Sequence, residues 1–339
     1  MGTAPIGRRR RSDPLGCLTG MRADTSHKAG GMPGFDVVGL GVSTVDIVSL
    51  VDHFPTGEEI QRAEDMTIQG GGPVATAIAA LARLGARTAM LDAIGDDWRG
   101  GLILAEFDRA GVSTEHIRRC HGASSATACL LVRRPDGART IVFLPGTTPE
   151  LEIADLPREV IESARALHVN GRHGQACLQA CRWARQAGVL VSFDGGAGRY
   201  REEMRRLVPL SDVCIVARQF AEQYTAETDI PAALSRLRSE GPQVVAVTDG
   251  LRGSWVESQD GARFHQPAFP VADLVDTTGC GDAYHGAFLF GLLQGLRLEA
   301  VAAFASAAAA LNARHLGGRA GLPTRAQVEA FLDEHAATL

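Results

Sequence analysis

The stretch ALHVNGRHGQACLQACRWARQAGVLVSFD, residues 166–194, decides the fold class of this chain. ALHVN (166–170) and VLVSFD (189–194) have the composition of buried strands, and QACLQACRWARQAG (175–188) between them has the pattern of a helix. Two strands that are joined by a helix lie parallel in one sheet, because the connection must cross over the face of the sheet. The segment therefore predicts a parallel α/β sheet.

The same alternation continues on both sides of this segment. Before it, FDVVGLGV (35–42) and RTAMLDAIG (87–95) resemble strands, and GGGPVATAIAALARLG (70–85) is a glycine turn followed by a helix. After it we expect helices at 200–208, 218–224, 231–241, 280–294, 298–313 and 324–336, with strands at 212–216 and 243–250. The pattern predicts an α/β three-layer sandwich, with helices on both faces of a mostly parallel central sheet.

Three further strands interrupt this rhythm. VDIVSLV (45–51) follows the first strand directly, and ATACLLV (126–132) is joined to RTIVFLP (139–145) by RRPDGA, which is a hairpin signal. We expect these segments to form a small β-sheet lid from about residues 45–70 and 126–145.

The composition limits the partners of the chain. It has 339 residues, of which 34 are basic and 39 acidic, for a net charge of −5. This balance argues against general nucleic-acid binding, and no apolar run approaches the ~20 residues of a membrane span. Residues 1–34 stand apart, because Arg8 to Arg11 form a basic run without apolar periodicity. We expect a disordered Arg-rich tail or an over-extended start there, with a nucleic-acid or targeting arm as the alternative, and one domain over 35–339.

The number of lysines excludes several enzyme classes. Lys28 is the only lysine, and it lies in the Arg-rich tail. Schiff-base enzymes, P-loop NTPases and protein kinases each need a lysine in the folded domain. Phosphate chemistry in this chain must therefore rest on backbone amides, arginine and metal.

The seven cysteines are scattered and form no CxxC pair, which predicts a reduced, cytoplasmic compartment. Cys177 and Cys181 share one face of a predicted helix. We interpret them as small core residues, with part of a metal site as the alternative.

The strongest chemical signal is VDTTGCGDAYHGAFLFGLL, residues 275–293. Gly279 and Gly281 flank Cys280 at the start of a helix, and Asp282 lies in its first turn. The backbone N–H groups of residues 279–282 are expected to be unpaired donors at the positive end of the helix dipole, where an anion binds. The dipole is also expected to keep Asp282 ionised as a base, so that base and oxyanion donors share one turn, as phosphoryl transfer requires.

These motifs resemble the ribokinase-like (PfkB) carbohydrate kinases. DTTGCGD (276–282) is similar to their DTxGAGD signature, and GGGPVATAIAALARLGA (70–86) is similar to their first signature. The resemblance extends over about 35–335 and is closest to sulfofructose kinases and ketohexokinases. VNGRH (169–173) resembles ketohexokinases, and GGRAGLP (317–323) resembles sulfofructose kinases.

The resemblance implies a role for individual residues. Asp282 matches the catalytic base, and Gly279, Cys280 and Gly281 match the anion hole. Asp46, Gly71 and Gly72 match the sugar-binding positions. Thr248, Gly250 and Gly253 match the nucleotide side, with Asn312 in the helix beside the adenine. Asp276 and Thr278 match positions that bind a monovalent cation, K⁺ or Na⁺, in some members. ATP and Mg²⁺ are the implied cofactors, and a homodimer through the lids is the implied assembly.

Several positions depart from the family pattern. Ala75 and Gly72 replace asparagines that bind the sugar in other members, so amide contacts to fructose are missing. Ala217 and Phe220 replace the Asn and Glu of the NxxE motif that is tied to Mg²⁺. A metal held mostly by water and ATP is therefore expected.

Other polar residues have two interpretations each. Arg172 follows a strand end, where ligands bind in open α/β sheets, so it is either an anion clamp or a surface ion pair. Asp194, also at a strand end, either faces the phosphates through Mg²⁺ or caps the next turn. Arg139 is expected to be a solvated strand residue rather than a substrate contact. His173, His265 and His285 are expected to be structural.

Together these features predict an ATP-dependent kinase that phosphorylates a primary hydroxyl of a small sugar, such as a ketose, a sugar acid or a sulfo-sugar. A nucleoside kinase of the same superfamily and a non-catalytic nucleotide- or sugar-sensing protein are the alternatives.

Overall fold

Strands and helices alternate along the chain in the computed structural model, which describes residues 34–335. The strands are β1 (Val37–Leu40), β2 (Thr44–Val51), β3 (Asp65–Gly71), β4 (Thr88–Gly95), β5 (Val112–Ser113), β6 (Ile117–Cys120), β7 (Ala126–Arg133), β8 (Ala138–Leu144), β9 (Ala166–Val169), β10 (Leu190–Gly195), β11 (Val213–Ala217), β12 (Val244–Thr248), β13 (Ser254–Ser258) and β14 (Arg263–Gln266).

The helices cover both faces of the larger sheet. They are α1 (Pro73–Arg83), α2 (Trp98–Ala110), α3 (Arg158–Ser163), α4 (Gly174–Ala187), α5 (Arg218–Thr225), α6 (Ile230–Arg238), α7 (Cys280–Leu293), α8 (Leu298–Asn312) and α9 (Arg325–Glu334). Pro73 occupies the first turn of α1, where its missing N–H would have no helical partner in any case.

The larger sheet has ten strands in the order β14-β13-β12-β11-β10-β9-β1-β4-β5, with β6 also paired to β4. The strands from β12 through β1 to β4 are parallel, and β13 and β14 add an antiparallel edge. Every residue of β1 and β9 is buried, as expected for strands covered on both faces. The predicted mostly parallel central sheet is therefore confirmed.

A second sheet has four strands in the order β3-β2-β7-β8 and corresponds to the predicted lid. The hairpin of β7 and β8 is antiparallel, whereas β2 and β7 are parallel. The strand β3 was not predicted as a strand; it ends at Gly71, directly before α1.

The predicted helix over 200–208 is wrong. Two short 3₁₀ turns occupy this region, Glu202–Arg206 and Val208–Leu210. Pro209 gives the physical reason, because a proline has no N–H to donate to a helix and disfavours the helical conformation of the residue before it.

The structure supports the core interpretation of the two neighbouring cysteines, since Cys177 and Cys181 are both fully buried on α4. Among residues 34–335, no group of three or more His, Cys, Asp or Glu side chains is placed to hold a metal ion. Within the same residues, no helix is long and apolar enough to cross a bilayer. The expected Arg-rich tail lies outside the described residues, except for Gly34.

Candidate active site

The carboxyl ends of the parallel strands open into a cavity of about 920 Å³ between the two sheets and the start of α7. Most residues that the sequence singled out line this cavity: Asp46, Gly72, Arg172, Asp194, Thr248, Gly250, Gly253, Thr278, Gly279, Cys280, Gly281 and Asp282. Gly71, Asp276 and Asn312 do not line it. The topology thus brings residues predicted to bind the sugar and residues predicted to bind the nucleotide to one cleft.

The turn before α7 needs glycine at position 279. Gly279 has φ +71°, and a Cβ there would lie 2.4 Å from the Gly318 carbonyl oxygen. The Asn312 side-chain amide donates to the carbonyl oxygens of Thr278 (3.3 Å) and Gly318 (3.2 Å), which fixes the turn against the loop after α8.

Most backbone donors of this turn are free to meet an anion. Cys280 N–H donates to the Thr277 carbonyl over a long 3.4 Å, so the expectation of four unpaired donors is wrong at this residue. The N–H groups of Gly279, Gly281 and Asp282 have no backbone or side-chain acceptor among the described residues. Three donors at the positive end of α7 therefore face the same cavity as the Asp282 carboxylate.

Asp282 is half-buried and lines the cavity. Burial raises the pKa of its carboxyl, and Asp194 raises it further, against the lowering effect of Arg199, His285 and Arg139. The helix dipole was expected to keep this group ionised; burial and Asp194 act against that effect, and the ionised state stays a prediction. A carboxylate with a raised pKa is a stronger proton acceptor than a solvated aspartate.

The end of the cavity that the family resemblance assigns to the sugar contains Asp46 on β2. The Thr44 hydroxyl donates to its Oδ1 at 2.6 Å, and burial raises the pKa of its carboxyl. A Cβ on Gly71 would lie 2.1 Å from its Oδ2, and one on Gly72, at φ +91°, would lie 2.1 Å from the Val42 carbonyl oxygen. Gly71 leaves room for the carboxylate and Gly72 for the chain turn, whereas their role in admitting the sugar stays a prediction.

Arginines supply the positive charge that lysine cannot. The Arg139 side chain donates to the Thr277 hydroxyl at 2.9 Å, which joins the lid to the turn before α7; it is exposed, as expected, but not merely solvated. Arg172 pairs with Glu150 at 3.0 Å while lining the cavity, so both interpretations of Arg172 describe part of its position. Arg199 also lines the cavity and forms no ion pair within 4 Å among the described residues.

Sequence reasoning missed Arg199, although its signal was available. It follows β10 in a glycine-rich loop, at the same sheet edge as Asp194. Arg199 lines the same cavity as Asp46, Asp194 and Asp282, and its charge lowers the pKa of all three carboxyls.

Asp194 is buried at the end of β10 and contacts a histidine of α7. His285 Nε2 lies 3.3 Å from Asp194 Oδ1, and the second carboxylate oxygen has no hydrogen-bond partner among the described residues. Burial lowers the pKa of His285 to about 4 and raises that of Asp194. The incompletely paired carboxylate is suited to a cation, as the phosphate-side interpretation of Asp194 requires.

The side chains that line the cavity show which residues could bind Mg²⁺. Ala217 lines the cavity but offers no side-chain ligand, and Phe220 is fully buried in the core, so neither position supplies a carboxylate to the cavity. Asp194 and Asp282 are hard oxygen ligands of the kind that Mg²⁺ takes, alongside water and phosphate oxygens. The site therefore fits a magnesium ion that is bound mostly through the nucleotide.

The residues that the family resemblance assigns to the nucleotide side lie at the end of β12 and directly after it. Gly250 and Gly253 have φ of +53° and +87°, and a Cβ on Gly253 would lie 2.1 Å from the Gln266 carbonyl oxygen. Asp249, which lies between Thr248 and Gly250, forms ion pairs with Arg218 at 3.1 Å and with Arg252. Small side chains of α8 and its end line the adjoining wall together with Phe269; they are Ser306, Ala309, Ala310 and Ala313. This wall has the apolar character that a flat base requires.

Two residues are placed differently from the family expectation. Asn312 is fully buried and supports the turn before α7 rather than lining the nucleotide cavity. Asp276 is also fully buried, and its two oxygens accept the N–H groups of Thr278 (2.7 Å) and Gly317 (2.8 Å). Its carboxylate is thus occupied by backbone donors, while the Thr278 hydroxyl is buried without a partner among the described residues.

Comparison with known proteins agrees with this geometry. The family model for the pfkB family carbohydrate kinases matches residues 35–325. The chain is 27% identical to a nucleoside kinase of Methanothermobacter thermautotrophicus over 291 residues, which cover 85% of this chain and 92% of the relative. It is 29% identical to an ATP-dependent ribose-1-phosphate kinase of Halopiger xanaduensis over 299 residues, 88% of this chain and 98% of the relative.

Among solved structures, a ribokinase of Arabidopsis thaliana in complex with ribose and ATP superposes with a TM-score of 0.76. It is 26% identical, and the match covers 88% of this chain and 99% of that one.

Proposed function

This chain belongs to the pfkB family of carbohydrate kinases, and on that premise we propose that it transfers the γ-phosphoryl group of ATP to a primary hydroxyl of a small sugar, with Asp282 as the base. The observation that carries this proposal is the turn before α7. Its carboxylate and three free backbone donors face one cavity that also holds Asp46.

In this proposal, the acceptor binds at the lid end of the cavity. Its hydroxyls donate to the Asp46 carboxylate, for which Gly71 leaves room, and Gly72 lines the cavity beside it. The reacting hydroxyl lies against Asp282, which accepts its proton as the new O–P bond forms. The N–H groups of Gly279, Gly281 and Asp282 then stabilise the negative charge on the transferred phosphoryl group.

ATP binds at the other end of the cavity. Thr248, Gly250 and Gly253 border its base and ribose, and the small residues of α8 face the adenine. Mg²⁺ on the nucleotide would supply charge neutralisation, with Asp194 as its protein ligand. Arg139 and Arg199 add positive charge near the site of transfer, in place of a lysine.

The acceptor class is the finer part of the proposal. Arg139, Arg172 and Arg199 all line the cavity that holds Asp46, which favours an acceptor that carries a carboxylate, a sulfonate or a phosphate. A ketose, a sugar acid and a sulfo-sugar remain the candidates. A nucleoside is the second candidate, because one relative is named a nucleoside kinase.

A panel of acceptors separates these candidates. ADP release with ATP and Mg²⁺ would be measured for D-fructose, 6-deoxy-6-sulfofructose, D-gluconate, D-ribose, ribose 1-phosphate and adenosine. Faster turnover of an anionic sugar than of D-fructose and D-ribose supports the arginine argument, and turnover of adenosine alone supports the nucleoside kinase. No ADP release with any member would contradict the sugar kinase proposed here.

We also propose a homodimer through the lid. The face of the lid sheet that points away from the cavity carries exposed apolar side chains, among them Ile68 (49% exposed), Val142 (72%) and Leu144 (55%). An apolar sheet face of this kind is suited to packing against a second copy.

A further inference from the structure

Arg319 lies in the loop between α8 and α9, and its guanidinium reaches the back of the sugar end of the cavity. Its Nη2 donates to the Gly71 carbonyl at 2.8 Å, and its Nε donates to the Thr76 hydroxyl at 3.2 Å. The guanidinium carbon lies 5.2 Å from the ring centroid of Phe107. Arg319 does not itself line the cavity, so any effect on a ligand must pass through its neighbours.

Gly71 separates this guanidinium from Asp46. The Gly71 carbonyl is bound by Arg319, and a Cβ on Gly71 would lie 2.1 Å from the Asp46 carboxylate. The Arg319 N–H also donates to Gln69 Oε1 at 2.8 Å, and Gln69 lies directly opposite Asp46 in the pairing of β2 with β3. Arg319 therefore holds the strand that borders the carboxylate at two points.

The charges around Asp46 show why a cation is needed there. Burial raises the pKa of the Asp46 carboxyl; the Thr44 hydroxyl, Arg319 and Arg199 lower it, and the charge of Asp282 raises it. Burial lowers the pKa of Arg319 to about 10, so the guanidinium stays protonated at neutral pH. A buried carboxylate without a nearby cation would favour its neutral form.

We propose that Arg319 is a positioning residue for the acceptor: it fixes Gly71 and supplies the buried positive charge that lets Asp46 accept hydrogen bonds from sugar hydroxyls as an anion. The proposal rests on the function proposed above, because that function assigns Asp46 to the acceptor. The nucleotide end of the cavity is not touched by these contacts.

Two variants separate charge from shape. Arg319→Gln keeps a donor for Gly71 and removes the charge, whereas Arg319→Lys keeps the charge on a different donor. Acceptor affinity would be measured by calorimetry with the panel member of highest kcat/KM, in the Asp282→Asn background, so that the catalytic carboxyl does not titrate. Affinity for a non-hydrolysable ATP analogue would be measured alongside.

We expect Arg319→Gln to weaken acceptor binding about 10-fold or more, since the buried positive charge that favours the anionic form of Asp46 is lost, while the affinity for the ATP analogue changes less than about 2-fold. Acceptor affinity falls as pH falls through the pKa of Asp46. Loss of the cation raises that pKa, so the acid limb moves to higher pH in Arg319→Gln. In Arg319→Lys it stays near its original position.

Arg314→Met is the matched control, because Arg314 lies in the same loop, pairs with Asp273 at 3.2 Å and does not line the cavity. It is expected to leave acceptor affinity unchanged. An Arg319→Gln variant with unaltered affinity and acid limb would overturn the proposal, as would an equal loss of acceptor and nucleotide affinity. If the native protein phosphorylates a panel acceptor but Arg319→Gln behaves like it, the kinase function stands and the role of Arg319 is wrong. If the native protein phosphorylates no panel member, both the kinase function and the role of Arg319 are wrong.

Discussion

Asp282 owes its chemistry to its surroundings rather than to its residue type. Burial and the neighbouring Asp194 raise the pKa of its carboxyl, and Arg199 opposes them. The position of Asp282 on the first turn of a helix could be predicted from the glycines around it, because they are neighbours in sequence. Apart from His285 on the same helix, the charged residues that shift its pKa are Asp194 on β10, Arg199 in the loop after it and Arg139 on β8, so only the folded chain brings them together.

The same limit applies to the other arginines of the site. Arg139 could be found in the sequence but was interpreted as solvated, because nothing local shows that it meets Thr277, which is 138 residues away. Arg319 carries no local signal at all, since its partners Gly71 and Thr76 are more than 240 residues away.

The raised pKa of Asp282 makes a prediction at the residue scale. A base must be ionised to act, so kcat/KM should be present above its pKa and fall as pH drops through it. We expect the acid limb to lie above the ~3.9 of an ordinary aspartate, and Arg199→Met to move it to still higher pH, because a cation that lowers this pKa is lost. The measurement is the pH dependence of kcat/KM for the acceptor. A limb that stays in place or moves to lower pH in Arg199→Met would contradict this view of the site.

At the scale of elements, the turn before α7 acts as one unit with the loop after α8. Asn312, Gly318 and Asp276 connect the two segments by side-chain to backbone hydrogen bonds. The DTTGCGD motif predicted the turn itself, but the sequence assigned Asn312 to the adenine and Asp276 to a cation. Both assignments depended on a resemblance, which carries no information on where each side chain points here.

Elements with weak local signals were also the ones that sequence reasoning missed or misassigned. The segment 200–208 has helical spacing, but Pro209 limits it to 3₁₀ turns. The strand β3 has too few hydrophobic residues to be recognised as a strand from the sequence, and its pairing with β2 stabilises it.

The geometry of the turn before α7 predicts that a substitution of Gly279 lowers turnover. Gly279→Ala combines a positive φ with a Cβ that would lie 2.4 Å from the Gly318 carbonyl oxygen, so the turn must move. We expect turnover to fall by about 100-fold or more, as when oxyanion donors are lost. Gly261→Ala is the control, because Gly261 has φ +91° with open space around it. It should cost about 1–2 kcal/mol of unfolding free energy and leave turnover unchanged. Equal turnover in the two variants would mean that the turn does not hold the phosphate.

In the whole molecule, each of the two sheets brings a different set of residues to the cavity. The larger sheet places Asp194, Thr248 and the start of α7 at one edge, and the lid brings Asp46 and Arg139 to the same cavity. Strand–helix alternation was sufficient to predict the larger sheet, because its strands are buried on both faces. The order of the lid strands was not predictable, since β2 pairs in parallel with β7, about 80 residues later in the chain.

The outer face of the lid predicts the assembly. Val142→Glu would place a charge in the proposed dimer contact, so we expect the chain to become monomeric in size-exclusion chromatography with light scattering. Ile153→Glu, at an exposed apolar residue outside the lid sheet, should leave the dimer intact. A native chain that is already monomeric at micromolar concentration would refute the dimer.

The central claim is that one carboxylate accepts the proton while adjoining main-chain donors receive the phosphoryl charge. The most direct measurement is steady-state turnover of Asp282→Asn with ATP, Mg²⁺ and the best panel acceptor, together with its affinity for a non-hydrolysable ATP analogue. We expect turnover to fall by about 10²–10⁴-fold, with nucleotide affinity within about 3-fold of the native protein. Near-native turnover in Asp282→Asn would contradict it.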